Sequence, residues 1–239
     1  GELVALTPDG VAGSWRAAPP APRRLCVFEH VYLSRRDSRA DGEPLEAVRE
    51  RLGERLALES PADADAVVPV PASGVPAGRG FARAAGVPLR EALVRNEYVG
   101  RSFIQPTPAL RELAVRMKFN VAGDLSGQRV VVVDDSIVRG STMRHVVALL
   151  RGAGAREVHV RIAAPPVVAA CHYGVDIGAP GELLAAHRRF DAVRDAIGAT
   201  SLEYLSVAGL RAAVGTGARR GVCDACLTRR EPAAAPAAA

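Results

Sequence analysis

Two adjacent aspartates, Asp134 and Asp135, follow the apolar run Val130–Val133. After them come Ser136, Ile137, Val138, Arg139, Gly140, Ser141 and Thr142. Neighbouring carboxylates can accept hydrogen bonds from two adjacent sugar hydroxyls. Hydroxyls and backbone N–H groups at a helix N-terminus can hold a phosphate, helped by the helix dipole. The stretch therefore predicts a sugar-phosphate site. It is not a Walker loop, because no Gly-Lys-Ser/Thr is present. A loop acid and a capping hydroxyl would explain one Asp and one Ser, but not the whole series.

Such a site needs a strand to deliver the acids and a helix to receive the loop. Val130–Val133 reads as a buried parallel strand. Met143, Val146, Val147, Leu149 and Leu150 recur at helical spacing, and Gly152 and Gly154 end the helix. Upstream, residues 1–11 read as a strand, a Pro-Asp-Gly turn and a second strand, too small to stand alone. A Pro/Ala linker follows. Cys26 to Tyr32 predicts a strand. Pro44 to Leu58 predicts an amphipathic helix with Leu45, Val48, Leu52 and Leu56 on one face. Val67 to Val70 predicts a strand, Pro71 to Gly74 a turn and Pro76 to Ala85 a helix. Leu89 to Val94 predicts another strand.

Asn96 to Asn120 has few structural signals but many polar groups, including Tyr98, Arg101, Gln105, Arg111, Arg116 and Lys118. It reads as a loop running into a short helix. Glu157 to Ala163 predicts a strand. Gly181 to His187, Asp191 to Ile197 and Leu205 to Val214 predict helices. Residues 231–239 are a low-complexity tail, expected to be disordered. Alternating strands and helices predict an α/β fold with a mostly parallel sheet.

The stretch from Asp134 to Thr142 resembles the phosphoribosyl pyrophosphate (PRPP) motif of type I phosphoribosyltransferases. The resemblance extends to the phosphoribosyltransferase half of the glutamine PRPP amidotransferases. It runs in family order through CVFEHVYLSRRDS, VVPVPASGVP, NEYVGRSFIQP, LRELAVRMKFN, VVVVDDSIVRGST, GAREVHVRIAAPP, CHYGVDI, LSVAGL and CDACL, roughly residues 20 to 228. The implied fold is the type I phosphoribosyltransferase fold, its C-terminal segment tied by an iron-sulfur cluster.

The resemblance implies a set of roles. Asp134 and Asp135 would hold the ribose hydroxyls and a magnesium ion, with Ser73 helping to bind the metal. Ser136, Ile137, Val138, Arg139, Gly140, Ser141 and Thr142 would surround the 5′-phosphate. Tyr98 to Pro106 would fold over PRPP, with Arg101 reaching the pyrophosphate or shaping the ammonia path. Cys26, Cys171, Cys223 and Cys226 would hold a [4Fe-4S] cluster. By ligand type alone these cysteines suit zinc as well as iron-sulfur. A metal role fits them better than a disulfide framework, since the chain is neither small nor dominated by loops. The implied reaction is ammonia transfer to C1 of PRPP with loss of pyrophosphate, the first step of purine synthesis.

This sequence departs from the family pattern at Ala72, where an Asp is usual, at Glu97, where an Arg is usual, and mildly at Ser141, which replaces a Thr. Glu97 reverses a charge beside the expected site. The alternatives are a paralogue aminating another phosphorylated sugar, and a PRPP-binding regulator. The resemblance also implies that residues 1–22 are the edge of a glutaminase-like domain and its linker, with 23–230 the transferase domain. The Cys-led glutaminase itself is not expected in this chain, so free ammonia, a separate glutaminase or an N-terminal half outside this chain would supply nitrogen. Relatives assemble, so a homo-oligomer is expected.

The composition is compatible with these expectations. Of 239 residues 49% are hydrophobic, enough for a sizeable core. The formal charge of +5 suits an anionic substrate. The arginines are scattered, and only 4% of residues are aromatic, which argues against a nucleic-acid surface. No apolar run approaches a membrane span and no signal peptide opens the chain, so a cytoplasmic location is expected.

Overall fold

The computed structural model describes residues 2–16, 24–96, 98, 117–177, 180–215 and 221–230. It opens with an antiparallel hairpin of β1 (Glu2–Thr7) and β2 (Gly10–Arg16), whose side chains Leu6 and Trp15 stay exposed. The two-residue strands β3 (Leu25–Cys26), β4 (Arg39–Ala40) and β5 (Glu43–Pro44) follow, then helix α1 (Leu45–Glu59). Next come β6 (Ala66–Pro69), helix α2 (Val75–Ala85), β7 (Leu93–Arg95) and β8 (Phe119–Val121). Strand β9 (Arg129–Asp134) leads into the Ser141–Gly152 helix, and β10 (Glu157–Ile162) follows. The Phe190–Ile197 helix, β11 (Ser201–Tyr204), the Val207–Val214 helix, β12 (Val222–Cys223) and the Ala225–Thr228 helix complete the order.

The main sheet is parallel, in the order β11, β10, β9, β6. Val130 through Val133 are completely buried, because helices cover both faces of the sheet. Each such valine contributes roughly 1.5–3 kcal/mol. Their alternation divides the core. Val131 and Val133 join Val67 of β6 and Val48, Leu52, Leu56 and Phe81 from α1 and α2. Val130 and Val132 join Val68, Met143, Val146, Val147 and Leu150 on the other face. Thus α2 leaves β6 toward one face, and the Ser141–Gly152 helix leaves β9 toward the other. The crevice between the C-terminal ends of β6 and β9 is the topological switch point, where open α/β sheets take ligands.

Several expectations are corrected. Cys26 to Tyr32 is not a strand: after the short β3 the chain coils into a wide helical turn over Glu29–Leu33. Val27, Phe28, His30 and Val31 are buried together, a helical rather than alternating pattern. Leu89 to Val94 forms only an isolated parallel bridge at Leu89 to Val67, then the short β7, which pairs antiparallel with β8. Gly181 to His187 holds only a 3₁₀ turn, Pro180–Glu182, because Leu184 N–H is drawn to Val138 C=O at 2.9 Å. The helix expected from Leu205 starts at Val207, capped by Ser206, whose hydroxyl accepts the Gly209 N–H at 2.9 Å. Strand β11 is missed by periodicity, since Ser-Leu-Glu-Tyr is too short to show it.

Candidate active site

The acids stand where β9 ends. Both are buried, and Asp135 N–H donates to Asp134 Oδ1 at 2.9 Å. Burial pushes the Asp134 carboxyl well above the usual carboxylate range, and the neighbouring charge of Asp135 adds to it. Burial also raises Asp135, against hydrogen bonds from the Ser136 and Ser73 hydroxyls and the charges of Arg49 and Lys118. A buried pair of like charges is costly. The arrangement is chemically a receptor for positive charge and for hydroxyl donors.

The turn after β6 brings Ser73 to the pair. Val70 N–H extends the ladder to Val133 C=O at 2.9 Å, and Gly74 N–H closes the turn on Val70 C=O at 2.9 Å. Gly74 has no room for a side chain: a Cβ there would lie 2.5 Å from the Val133 oxygen. Only glycine lets this turn lie against the end of β9. The Pro71–Ala72 peptide within it is cis.

The loop from Ser136 to Gly140 is anchored from below. Ile137 is buried in the core, Val138 C=O accepts from Leu184 N–H, and Arg139 pairs with Glu182 at 2.9 Å. Arg139 thus braces the loop rather than pointing alone into solvent. Gly140 caps the next helix with φ +77°, a left-handed conformation that glycine adopts without strain. No side chain caps this helix and no acid lies in its first turn. Its leading N–H groups, with Ser141 and Thr142, are suited to an anion.

Two cations lie near the acids, Arg95 at the end of β7 and Lys118 just before β8. Lys118 is half-buried, with its charge acting on Asp134 and Asp135 and Arg95 nearby. Burial lowers its pKa. Its Nζ lies 5.1 Å from the centre of the Phe119 ring. A cleft of about 560 Å³ lined by Pro71, Ala72, Glu91, Leu93, Val94 and Arg95 opens here. Tyr98 is almost wholly exposed, its N–H donating to Asn96 Oδ1 at 3.0 Å. Arg101 and Glu97 lie outside the described residues. Sequence reasoning passed over Arg95, Glu91 and Arg49. Arg49 could have been found as a charge set among Leu45, Val48 and Leu52 on the apolar face of α1.

The four cysteines are free thiols. Parallel pairing of β12 with β3 sets Cys223 opposite Cys26. Cys226 C=O accepts from the N–H groups of Val168 and Ala169 at 2.9 and 3.1 Å, drawing in the segment that leads to Cys171. Tyr173 N–H donates to Cys171 Sγ at 3.3 Å. Burial, then the charges of Cys26, Cys171 and Cys223, push the Cys226 thiol up to about 12. Cys26 is raised as well, chiefly by burial, with smaller contributions from Cys223 and Cys171. The thiols feel one another. Among the described residues, however, no three His, Cys, Asp or Glu side chains close round a single ion. No helix among the described residues is long and apolar enough to cross a membrane.

Comparison with known proteins follows the same lines. The phosphoribosyl transferase domain model matches residues 41–165. The chain is 47% identical to amidophosphoribosyltransferase of Synechococcus elongatus over 241 residues, 99% of this chain and 48% of that protein. With the Archaeoglobus fulgidus amidophosphoribosyltransferase the identity is 44%, over 98% of this chain and 51% of that one. The solved glutamine PRPP amidotransferase of B. subtilis, complexed with ADP and GMP, superposes with a TM-score of 0.81 at 44% identity, covering 97% of this chain and 52% of that one. The chain thus spans about half the length of the curated relatives it matches.

Proposed function

Because this chain belongs to the phosphoribosyl transferase domain family, we propose that it binds PRPP at the acid pair and transfers ammonia to C1. Pyrophosphate would leave and phosphoribosylamine would form. The observation carrying this reading is the buried Asp134–Asp135 pair at the switch point, followed directly by an uncapped helix N-terminus. The similarity to amidophosphoribosyltransferases over nearly the whole chain supports it.

In this mechanism the Ser136–Thr142 loop anchors the 5′-phosphate. Asp134 and Asp135 accept hydrogen bonds from the ribose hydroxyls and favour the positive charge that develops on the ring. Lys118 and Arg95 face the departing pyrophosphate, and Arg101 is assigned there as well. No residue need act as a nucleophile, so catalysis is placement and electrostatics. Tyr98 and the residues after it would close over the substrate and exclude water.

Asp134 and Asp135, with Ser73 beside them, would hold magnesium, and their oxygen donors fit it. When bound, the ion would neutralise charge on pyrophosphate. Cys26, Cys171, Cys223 and Cys226 would hold a [4Fe-4S] cluster, and four free thiols are the donor type that group takes. Its contribution would be a tie between distant parts of the chain. Residues 1–22 are assigned to a glutaminase-like domain edge, and a glutaminase or free ammonia to the nitrogen supply. A cytoplasmic homo-oligomer is the expected setting.

A second reading, amination of another phosphorylated sugar, is favoured by Ala72, which lines the cleft beside Ser73. Pyrophosphate release from PRPP, magnesium and ammonia tests the proposal, with other activated sugars in parallel. Release dependent on both PRPP and ammonia is expected. Binding of PRPP without release would favour a regulator, and faster release from another sugar would favour the paralogue.

A further inference from the structure

Asp224 stands between Cys223 and Cys226 and is 7% exposed. Its Oδ2 accepts from Arg211 Nε at 3.0 Å and from Arg211 Nη2 at 2.6 Å. Two donors of one rigid guanidinium on one oxygen fix direction as well as distance. The backbone of Asp224 is fixed too. Its C=O accepts from the N–H groups of Leu227 and Thr228 at 2.9 and 3.0 Å, which starts the Ala225–Thr228 helix containing Cys226.

Arg211 stands on an anchored element, the Val207–Val214 helix. Just before that helix, Glu59 at the end of α1 accepts from the Ser206 N–H at 2.8 Å and the Ser206 hydroxyl at 2.9 Å. Near its other end, Arg51 Nε of α1 donates to Ala213 C=O at 2.9 Å. The helix is thus fixed to α1 at both ends, and Arg211 carries that rigidity to the cysteine turn. The turn needs it, because a helix of four residues does not hold its own shape. The Arg211 side chain is 55% exposed, and a pair with one partner in water gives little general stability. We propose that Arg211 and Asp224 are positioning residues that hold the turn carrying Cys223 and Cys226 in place for a metal centre on the four cysteines. The inference deepens the cluster reading and rests on it.

Arg211→Met, Asp224→Asn and the double variant are made in the full chain and prepared without oxygen. Iron release to a chelator is timed well below the melting temperature, and melting is recorded for metal-free and metal-loaded protein. A parallel series uses cobalt(II), read by its thiolate absorption. Each single variant should release iron about tenfold faster than the wild type. The double variant should match the faster single, because the pair acts as a unit. Metal-free melting should fall by no more than about 4 °C. Wild-type release from the single variants, or effects that add in the double, overturn the inference. Faster release from Arg211→Met with slower release from Asp224→Asn would show charge alone at work and overturns it too. Melting lowered equally with and without metal, at unchanged release, marks a merely structural pair and has the same consequence. If Asp224→Asn does not fold, Arg211→Met decides, with Arg211→Lys expected to bring release back to within about threefold of the wild type. A wild type that binds cobalt but no iron sinks the cluster reading, while the cobalt series still decides the role of the pair. One that binds neither metal overturns both.

Discussion

The acid pair and the cysteine group both gather side chains that would bear negative charge, and burial opposes that charge in both. They differ in how the protein answers. Around Asp134 and Asp135 it supplies hydroxyl donors and two cations, Lys118 and Arg49. Around Cys26 and Cys226 the charged neighbours that weigh most are the other thiols and, for Cys26, Glu29; none is a cation. The acid pair is therefore partly offset by its surroundings. Burial leaves the thiols of Cys26 and Cys226 harder to ionise than usual, with no cation to offset it.

That contrast can be broken most decisively at the acids. The Asp134→Asn/Asp135→Asn double variant should lower ammonia-dependent turnover of PRPP by at least about a thousandfold. Its melting temperature should change little, because relief of the like-charge repulsion offsets the charges left unbalanced on Lys118 and Arg49. Retained activity would place the chemistry elsewhere. The next largest effect belongs to the cysteines. Cys223→Ser/Cys226→Ser should cost roughly 3 kcal/mol or more, a melting loss of about 10 °C, and should abolish iron binding in an anaerobic preparation. An unchanged melting curve would deny the group its structural role.

The smallest effect is expected at His30. Its ring is buried and neither ring nitrogen has a hydrogen-bond partner among the described residues. Burial lowers its pKa below the ordinary 6.5, outweighing the charges of Asp41, Glu43 and Glu29, while Arg49 also lowers it. Unfolding then takes up a proton below pH 6.5, so its contribution to stability is full above that pH and declines as pH falls. His30→Leu should flatten the stability profile on the acid side of pH 6.5, measured by denaturant unfolding. A profile identical to that of the wild type would mean His30 does not titrate there.

Much of the site was legible because it is contiguous. The valine run, the acids and the loop lie within Val130 to Thr142, and the local period names the strand and the helix around them. The Glu29–Leu33 turn was misread because Cys-Val-Phe-Glu-His-Val-Tyr is rich in strand-forming residues. The carbonyl contacts to Arg49, 15 and 19 positions away, favour the coil instead. Strand β11 and the β7–β8 pairing escaped for a related reason: short segments gain their stability from partners, not from their own pattern.

The sequence alone therefore determined the chemistry that could occur: which oxygens, thiols and hydroxyls exist, and which of them are neighbours along the chain. Only the tertiary structure decided their charges. Ser73 and Lys118 come to the acids through the parallel pairing of β6 with β9 and the pairing of β7 with β8. Cys223 comes opposite Cys26 only because β12 pairs with β3. Electrostatic interaction falls with distance through space, whereas periodicity reports only distance along the chain.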